Sequence, residues 1–337
     1  MDDKNLMNPK KIIHIGLPKT ATTSLQALLS ESNEIYYLGR HVANFKDNDL
    51  KFAIWIQLLE SDSLTLDIKP VKSIISNHYN IAKQQGRKAF VLSEESITAP
   101  WWSNVSFKER LERLKFVFGA DAQIILTLRE QTSFVQSIYK ELLKIGLDCT
   151  FNEFFQYILL RYNTFLMPYL NYHQVIEFCR MYFNDIQIFL YEDIVNDINS
   201  QSAFIKFFQI QKKTILPKLN DSQKTNLGDF YTYNRKNPYM ISSGFKGFNL
   251  CDFFRRNFLN LNVSGWKELD KNATLNYQRH YDIMSKAFNS SSIHDNDSLF
   301  NVDPAVKNEF DQFIGKWNRN LIHRYNIPID SYGYYLK

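Results

Sequence analysis

The sequence predicts an α/β fold, a mainly parallel central sheet with helices on both faces and a helical or irregular C-terminal region. Two observations predict it. Four short runs have apolar centres: Ile12 to Leu17, Lys88 to Ser93, Gln123 to Arg129 and Ile186 to Asp193. Continuous apolar runs of this length suit strands covered on both faces. Stretches with apolar residues at helical spacing alternate with them, and strand–helix alternation builds parallel sheets through right-handed crossovers.

The elements follow in order. Ile12 to Leu17 is the first strand, and Thr22 to Leu29 follows as a helix with Leu25, Leu28 and Leu29 on one face. Tyr36 to Leu38 is a short second strand. Helical spacing recurs over Leu50 to Leu59 and Val71 to Gln85 before the strand Lys88 to Ser93. Phe107, Leu111, Leu114 and Phe118 mark a helix that Gly119 ends. Gln123 to Arg129 is a strand, and Phe134, Val135, Ile138, Leu142 and Leu143 mark the helix after it, stopped at Gly146. Helices over Thr150 to Leu160 and Tyr169 to Tyr182 lead to the buried strand Ile186 to Asp193 and a helix near Ala203 to Phe208. Residues 216–300 are rich in Asn, Ser and Tyr and read as irregular. Asp303 before Pro304 is a helix start, and Val306, Phe310, Phe313, Trp317 and Leu321 form a stripe that packs back on the core. A single domain over 1–337, with its core at about 10–210, is the expected organisation.

Composition narrows the function. The 337 residues carry 45% hydrophobic and 22% charged residues, ordinary for a globular protein. The net charge of +5 suits an anionic ligand, and no basic run is dense enough for nucleic acid. Cys149, Cys179 and Cys251 are scattered and lack CxxC spacing, so they read as reduced thiols. No signal peptide or membrane span is evident, and a cytoplasmic location is expected. The seven His lack metal-site spacing, so no metal is expected.

The turn after the first strand carries chemistry. Pro18 and Lys19 lead into Thr20, Ala21, Thr22, Thr23 and Ser24, where the helix begins. Small residues let backbone N–H groups converge on an anion, and the helix N-terminus adds about half a positive charge. The hydroxyls can donate further bonds, and Lys19 adds a full charge. The nucleoside-triphosphate pattern GxxxxGK[ST] places its lysine after the small residues, whereas Lys19 comes before them and no GK pair exists. A strand-to-helix turn with ordinary N-capping residues is the alternative.

The order Pro18-Lys19-Thr20-Ala21-Thr22-Thr23 resembles the 5′-phosphosulfate loop of sulfotransferases that use 3′-phosphoadenosine 5′-phosphosulfate (PAPS). Ala21 departs from that family's usual glycine, and the loop survives the change unless the position needs positive φ. Arg129 at the end of its strand, with Ser137 eight residues on and Tyr139 after it, resembles the same family's 3′-phosphate motif. Tyr191-Glu192-Asp193 matches a further structural signature, with Ile194 where leucine is usual. The resemblance covers scattered blocks from Ile12 to Phe208. It implies a P-loop-type α/β fold and sulfuryl transfer from PAPS, with PAP (adenosine 3′,5′-bisphosphate) as product. Lys19, Thr20, Ala21, Thr22, Thr23 and Ser24 would then hold the phosphosulfate, with Lys19 also catalytic. Arg129 and Ser137 would hold the 3′-phosphate.

The base that deprotonates the acceptor is open among Glu94, then His41, then Glu95. Glu94 and Glu95 follow a strand at the sheet's carboxyl edge, although a Glu-Glu pair there is also an ordinary helix start. Arg40, His41, Trp101 and Trp102 are candidates to bind the acceptor, a hydroxyl or amine on a saccharide or small metabolite. Arg235, Lys236 and Lys246 could close over the nucleotide. Two rival readings stand beside this one: a P-loop nucleotide or small-molecule kinase, which the missing GK pair opposes, and an inactive PAP-binding module, which Lys19, Arg129 and Ser137 oppose. Oligomeric state is not readable.

Overall fold

The structure, a computed structural model, describes residues 8–41, 44–45, 47–98, 105–144, 149–162, 166–212, 215–217 and 300–337. It forms two compact units. The first comprises Met1–Gln131, Arg161–Asn220 and Asp311–Lys337, the second Thr132–Leu160 and Asp221–Phe310.

The first unit holds a five-stranded parallel sheet. Its strands are β1 (Lys10–Gly16), β2 (Ile35–Tyr37), β5 (Ala89–Ser93), β6 (Gln123–Leu128) and β7 (Asp185–Leu190), in the order β2-β5-β1-β6-β7. A two-residue antiparallel hairpin, β3 (Arg40–His41) with β4 (Asn44–Phe45), follows β2. Pleating sends alternate residues to opposite faces. On one face, Ile12, Val91 and Ile125 pack with Leu25, Leu28 and Leu29 of α1 (Thr22–Glu31). The same cluster includes Ile194 of α9 (Tyr191–Asn196) and Phe204 and Ile205 of α10 (Ile198–Phe207). On the other face, Phe90 meets Tyr79 of α3 (Ile68–Gln84) and Phe118 of α4 (Phe107–Phe118).

Several boundaries differ from expectation. The helix read over Leu50 to Leu59 opens as α2 (Asn48–Leu50) and continues as a ten-residue π-helix, Lys51–Glu60. Arg129 lies one residue beyond β6 rather than ending it. The helix read over Tyr169 to Tyr182 is two, α7 (Met167–Leu170) and α8 (Tyr172–Tyr182). The Asn171 side chain accepts a bond from the Gln174 N–H and so starts a new helix. The last strand stops at Leu190, and Tyr191, Glu192 and Asp193 open α9 instead. This strand is half-buried because β7 is the sheet edge, with only β6 beside it.

In the second unit, α5 (Gln131–Lys144) brings Tyr139 against Phe151 and Phe154 of α6 (Phe151–Leu160). The last long helix, α11 (Pro304–Tyr325), starts as read. The Asp303 carboxylate accepts from the N–H groups of Ala305 and Val306. Ile314 and Leu321, in its first-unit part, are fully buried. The stretch 218–299, including Arg235, Lys236, Lys246 and Cys251, lies outside the described residues.

Candidate functional site

Strand order brings the candidate residues together. β1 lies between β5 and β6, and β2 lies beside β5. In a parallel sheet the loops at the carboxyl ends of neighbouring strands share one edge. That edge therefore carries Arg40, then Glu94 and Glu95, then the Lys19 turn, then Arg129.

The turn itself is tightly wound. Lys19 and Ala21 both adopt left-handed backbone, with φ of 67° and 63°. Position 21 thus takes the positive φ that glycine would adopt without strain, and the turn forms with alanine nonetheless. The Thr20 hydroxyl donates to the Leu17 carbonyl at 2.6 Å, closing the turn on itself. Ala21 gives α1 no side-chain cap and no acid occupies the helix's own first turn, although the Glu95 carboxylate, bonded to the Thr22 hydroxyl, lies beside its positive end. Thr23 is exposed and Ser24 half-buried. Gly16 is needed at the strand's exit, because an added Cβ would lie 2.6 Å from both the His14 ring and the Thr22 methyl.

The two glutamates have different surroundings. Glu94 is fully buried. Its Oε2 accepts from Arg40 Nε at 3.0 Å, and its Oε1 accepts from Arg40 Nη2 at 2.5 Å and from the Ser96 N–H at 3.1 Å. Both oxygens are thus committed to a fork-to-fork ion pair. Arg40 also stacks on Trp55 of the π-helix, 4.5 Å from the ring centroid. Glu95, in contrast, is partly exposed. Its Oε2 accepts from the Thr22 hydroxyl at 2.5 Å. Burial pushes the Glu95 carboxyl above the usual range and the charge of Glu94 adds to this. The Thr22 bond, Arg40 and Lys19 pull the other way.

Arg129 is held on three sides. Its Nη1 donates to the Lys19 carbonyl at 2.8 Å, its guanidinium lies 4.4 Å from the Tyr191 ring centroid, and its own carbonyl accepts from the Tyr172 hydroxyl at 2.5 Å. Ser137 sits half-buried on α5, in the second unit. Trp101, Trp102 and the His41 side chain lie outside the described residues. Among the described residues no group of His, Cys, Asp or Glu could hold a metal ion, and no helix is long and apolar enough to cross a membrane.

Sequence reading did not single out Trp55, His14 or Gly16. Trp55 gave no signal beyond a helical apolar stretch. The wish for glycine at position 16 follows from a neighbouring side chain that only the fold brings near.

Comparison with known proteins gives a family. A family model described as a sulfotransferase domain matches residues 11–191, more than half of the chain. No curated protein matches. Among solved structures, the crystal structure of a sulfotransferase from Alicyclobacillus acidocaldarius is similar at 14% identity and a TM-score of 0.39, over 69% of this chain and 96% of that one. The family match alone decides the assignment: the chain belongs to the sulfotransferase family.

Proposed function

We propose that the chain transfers a sulfuryl group from PAPS to a hydroxyl or amine of a saccharide or small metabolite. One observation supports this above the others. An uncapped helix N-terminus, a lysine and an arginine bonded to that lysine's carbonyl meet at one edge of the sheet. A donor with a sulfated 5′-phosphate and a separate 3′-phosphate needs two such positive centres.

In this reading Lys19, Thr20, Ala21, Thr22, Thr23 and Ser24 surround the 5′-phosphosulfate, and Arg129 takes the 3′-phosphate. Lys19 offsets charge on the oxygen that leaves sulfur, an electrostatic role. The base is assigned to Glu95 in place of Glu94. Glu94 has both oxygens bound to Arg40 and no exposed surface, whereas Glu95 is partly exposed beside the loop. Glu95 takes the acceptor proton as the new bond to sulfur forms and the bond from sulfur to the bridging oxygen breaks. Trp55 joins Arg40, His41, Trp101 and Trp102 as a candidate to contact the acceptor. Cys149 and Cys179, which form no disulfide among the described residues, suit a reducing compartment such as the cytoplasm.

Calorimetric titration with PAP, AMP and ATP tests the donor assignment. PAP is expected to bind at least about tenfold more tightly than AMP, the worth of one charge-assisted phosphate contact. Preference for ATP with magnesium, or no PAP binding, would overturn it.

A further inference from the structure

The segment after α11 lies outside the stretch matched by the family model, yet it reaches the Arg129 turn. A 3-10 turn, Ile329–Tyr332, ends at Gly333 with φ 76°, a left-handed bend that glycine adopts without strain. Tyr332 and Tyr334 flank this bend. The Tyr332 hydroxyl donates to the Asp193 carboxylate. The Tyr334 hydroxyl, on a side chain that is only 4% exposed, donates to Glu192 Oε2 at 3.4 Å, a long bond. Glu192 Oε1 accepts from the backbone N–H of Glu130 at 2.8 Å. Tyr191, the residue before this acidic pair, is the one that stacks on Arg129.

The segment is itself pinned. Asn318 Nδ2 donates to the Tyr335 carbonyl at 3.0 Å and Arg319 Nη1 to the Leu336 carbonyl at 2.9 Å. Asn318 also exchanges bonds of 2.5 and 3.2 Å with Gln131, two residues beyond Arg129. A six-residue helix such as α9 is too short to hold its place alone, since helices this short are marginal without tertiary contacts. Tyr332 and Tyr334 bind the two acids of its first turn. Through Tyr191 on one side and the Glu130 backbone on the other, α9 fixes where the Arg129 guanidinium lies.

We infer that Tyr332 and Tyr334 are positioning residues for donor recognition: they anchor the Tyr191-Glu192-Asp193 turn so that Arg129 is held ready for the donor's 3′-phosphate. The inference rests on the reading of Arg129 as the 3′-phosphate ligand. It gives the Tyr-Glu-Asp signature a task, which is to grip the arginine from one end and the closing segment from the other.

The test uses Tyr332→Phe, Tyr334→Phe and the double variant in the full chain. Each single change removes one hydroxyl and keeps the ring. Affinities for PAP and for AMP are measured by calorimetry, beside thermal melts. Each single variant is expected to bind PAP up to about fivefold more weakly, the worth of one hydrogen bond, with AMP affinity unchanged. Asp193→Asn, which keeps an acceptor for Tyr332, is expected to retain most of the PAP preference. Equal loss for PAP and AMP, or lower melting with the PAP-to-AMP ratio unchanged, would reduce the tyrosines to structural supports and overturn the inference. If the wild type itself does not prefer PAP to AMP, the assignment of Arg129 fails instead.

Discussion

Arg129 Nη1 donates to the Lys19 carbonyl at 2.8 Å, so the arginine read as a phosphate ligand is also a strut under the anion loop. Lys19 is in left-handed backbone, which a non-glycine residue holds only when its surroundings enforce it. The guanidinium is one of the groups that enforce it. The two proposed anion centres are thereby joined through the backbone of Lys19.

The strut makes a specific prediction for Arg129→Ala. Loss of a charge-assisted phosphate contact costs about 1.5–3 kcal/mol, so PAP affinity is expected to fall at least tenfold. AMP, which lacks the 3′-phosphate, is expected to weaken as well, because the Lys19 turn loses its support. Calorimetry with both ligands separates the two effects. Unchanged AMP affinity would show that the turn holds without Arg129.

Ala21 gives a prediction about strain. Its φ of 63° and ψ of 20° cost an L-residue about 1–2 kcal/mol, while glycine there would lose about 0.5–1 kcal/mol of extra chain entropy on folding. Ala21→Gly is therefore expected to stabilise the fold by up to about 1 kcal/mol. Chemical denaturation of the two proteins measures it, and a less stable glycine variant would mean that the alanine methyl makes a compensating contact.

The strands and most helices were legible because each rests on local periodicity. The Lys19 loop was legible as a motif because its residues are contiguous. What was not legible depends on partners far along the chain. Glu94 and Glu95 are adjacent and alike in sequence, and only Arg40, 54 positions before Glu94, separates the buried partner from the partly exposed acid. The end of β7 was misplaced because Tyr191 continues an apolar run, while Glu192 and Asp193 are acids that favour the first turn of a helix. The bridge from Tyr332 to Asp193 spans 139 positions and leaves no local trace.

The two glutamates should separate cleanly in experiment. Glu95→Gln is expected to lower turnover about 10²–10⁴-fold, the range for loss of a general base, with PAP affinity little changed. Glu94→Gln is expected mainly to destabilise. It leaves the half-buried Arg40 guanidinium without the charge of Glu94, a change that costs about 3 kcal/mol at most, the low end for breaking a buried pair. Turnover, PAP titration and melting of both variants check this. If Glu94→Gln melts normally but is inactive, and Glu95→Gln is active, the base assignment is reversed. Since the Glu95 carboxyl lies above the usual range, the acidic limb of the wild-type rate profile is expected above about pH 4.5.

His14 governs stability in acid. Its Nδ1 lies 2.9 Å from the Ser93 hydroxyl and its Nε2 3.0 Å from the Thr127 hydroxyl, so one ring joins β5, β1 and β6. The ring is 1% exposed, packs edge-on against Phe204 and Phe208, and burial lowers its pKa to about 3. Between that value and 6.5 the unfolded chain binds a proton that the folded chain does not. The contribution is therefore fully present above pH 6.5 and is lost as the pH falls toward 3. At 1.36 kcal/mol per pH unit, going from pH 6.5 to 5 should remove about 2 kcal/mol. Denaturant titrations of wild type and His14→Met at pH 7.5 and 5.0 measure it. Methionine is expected to be less stable at pH 7.5, having lost both bridges, but to lose about 2 kcal/mol less than wild type on acidification. Glu95, whose carboxyl is raised, acts in the opposite sense and is common to both proteins, so the difference between them belongs to His14. Equal losses in the two proteins would mean that the folded state accepts a proton at His14 and that the strands part to let it in.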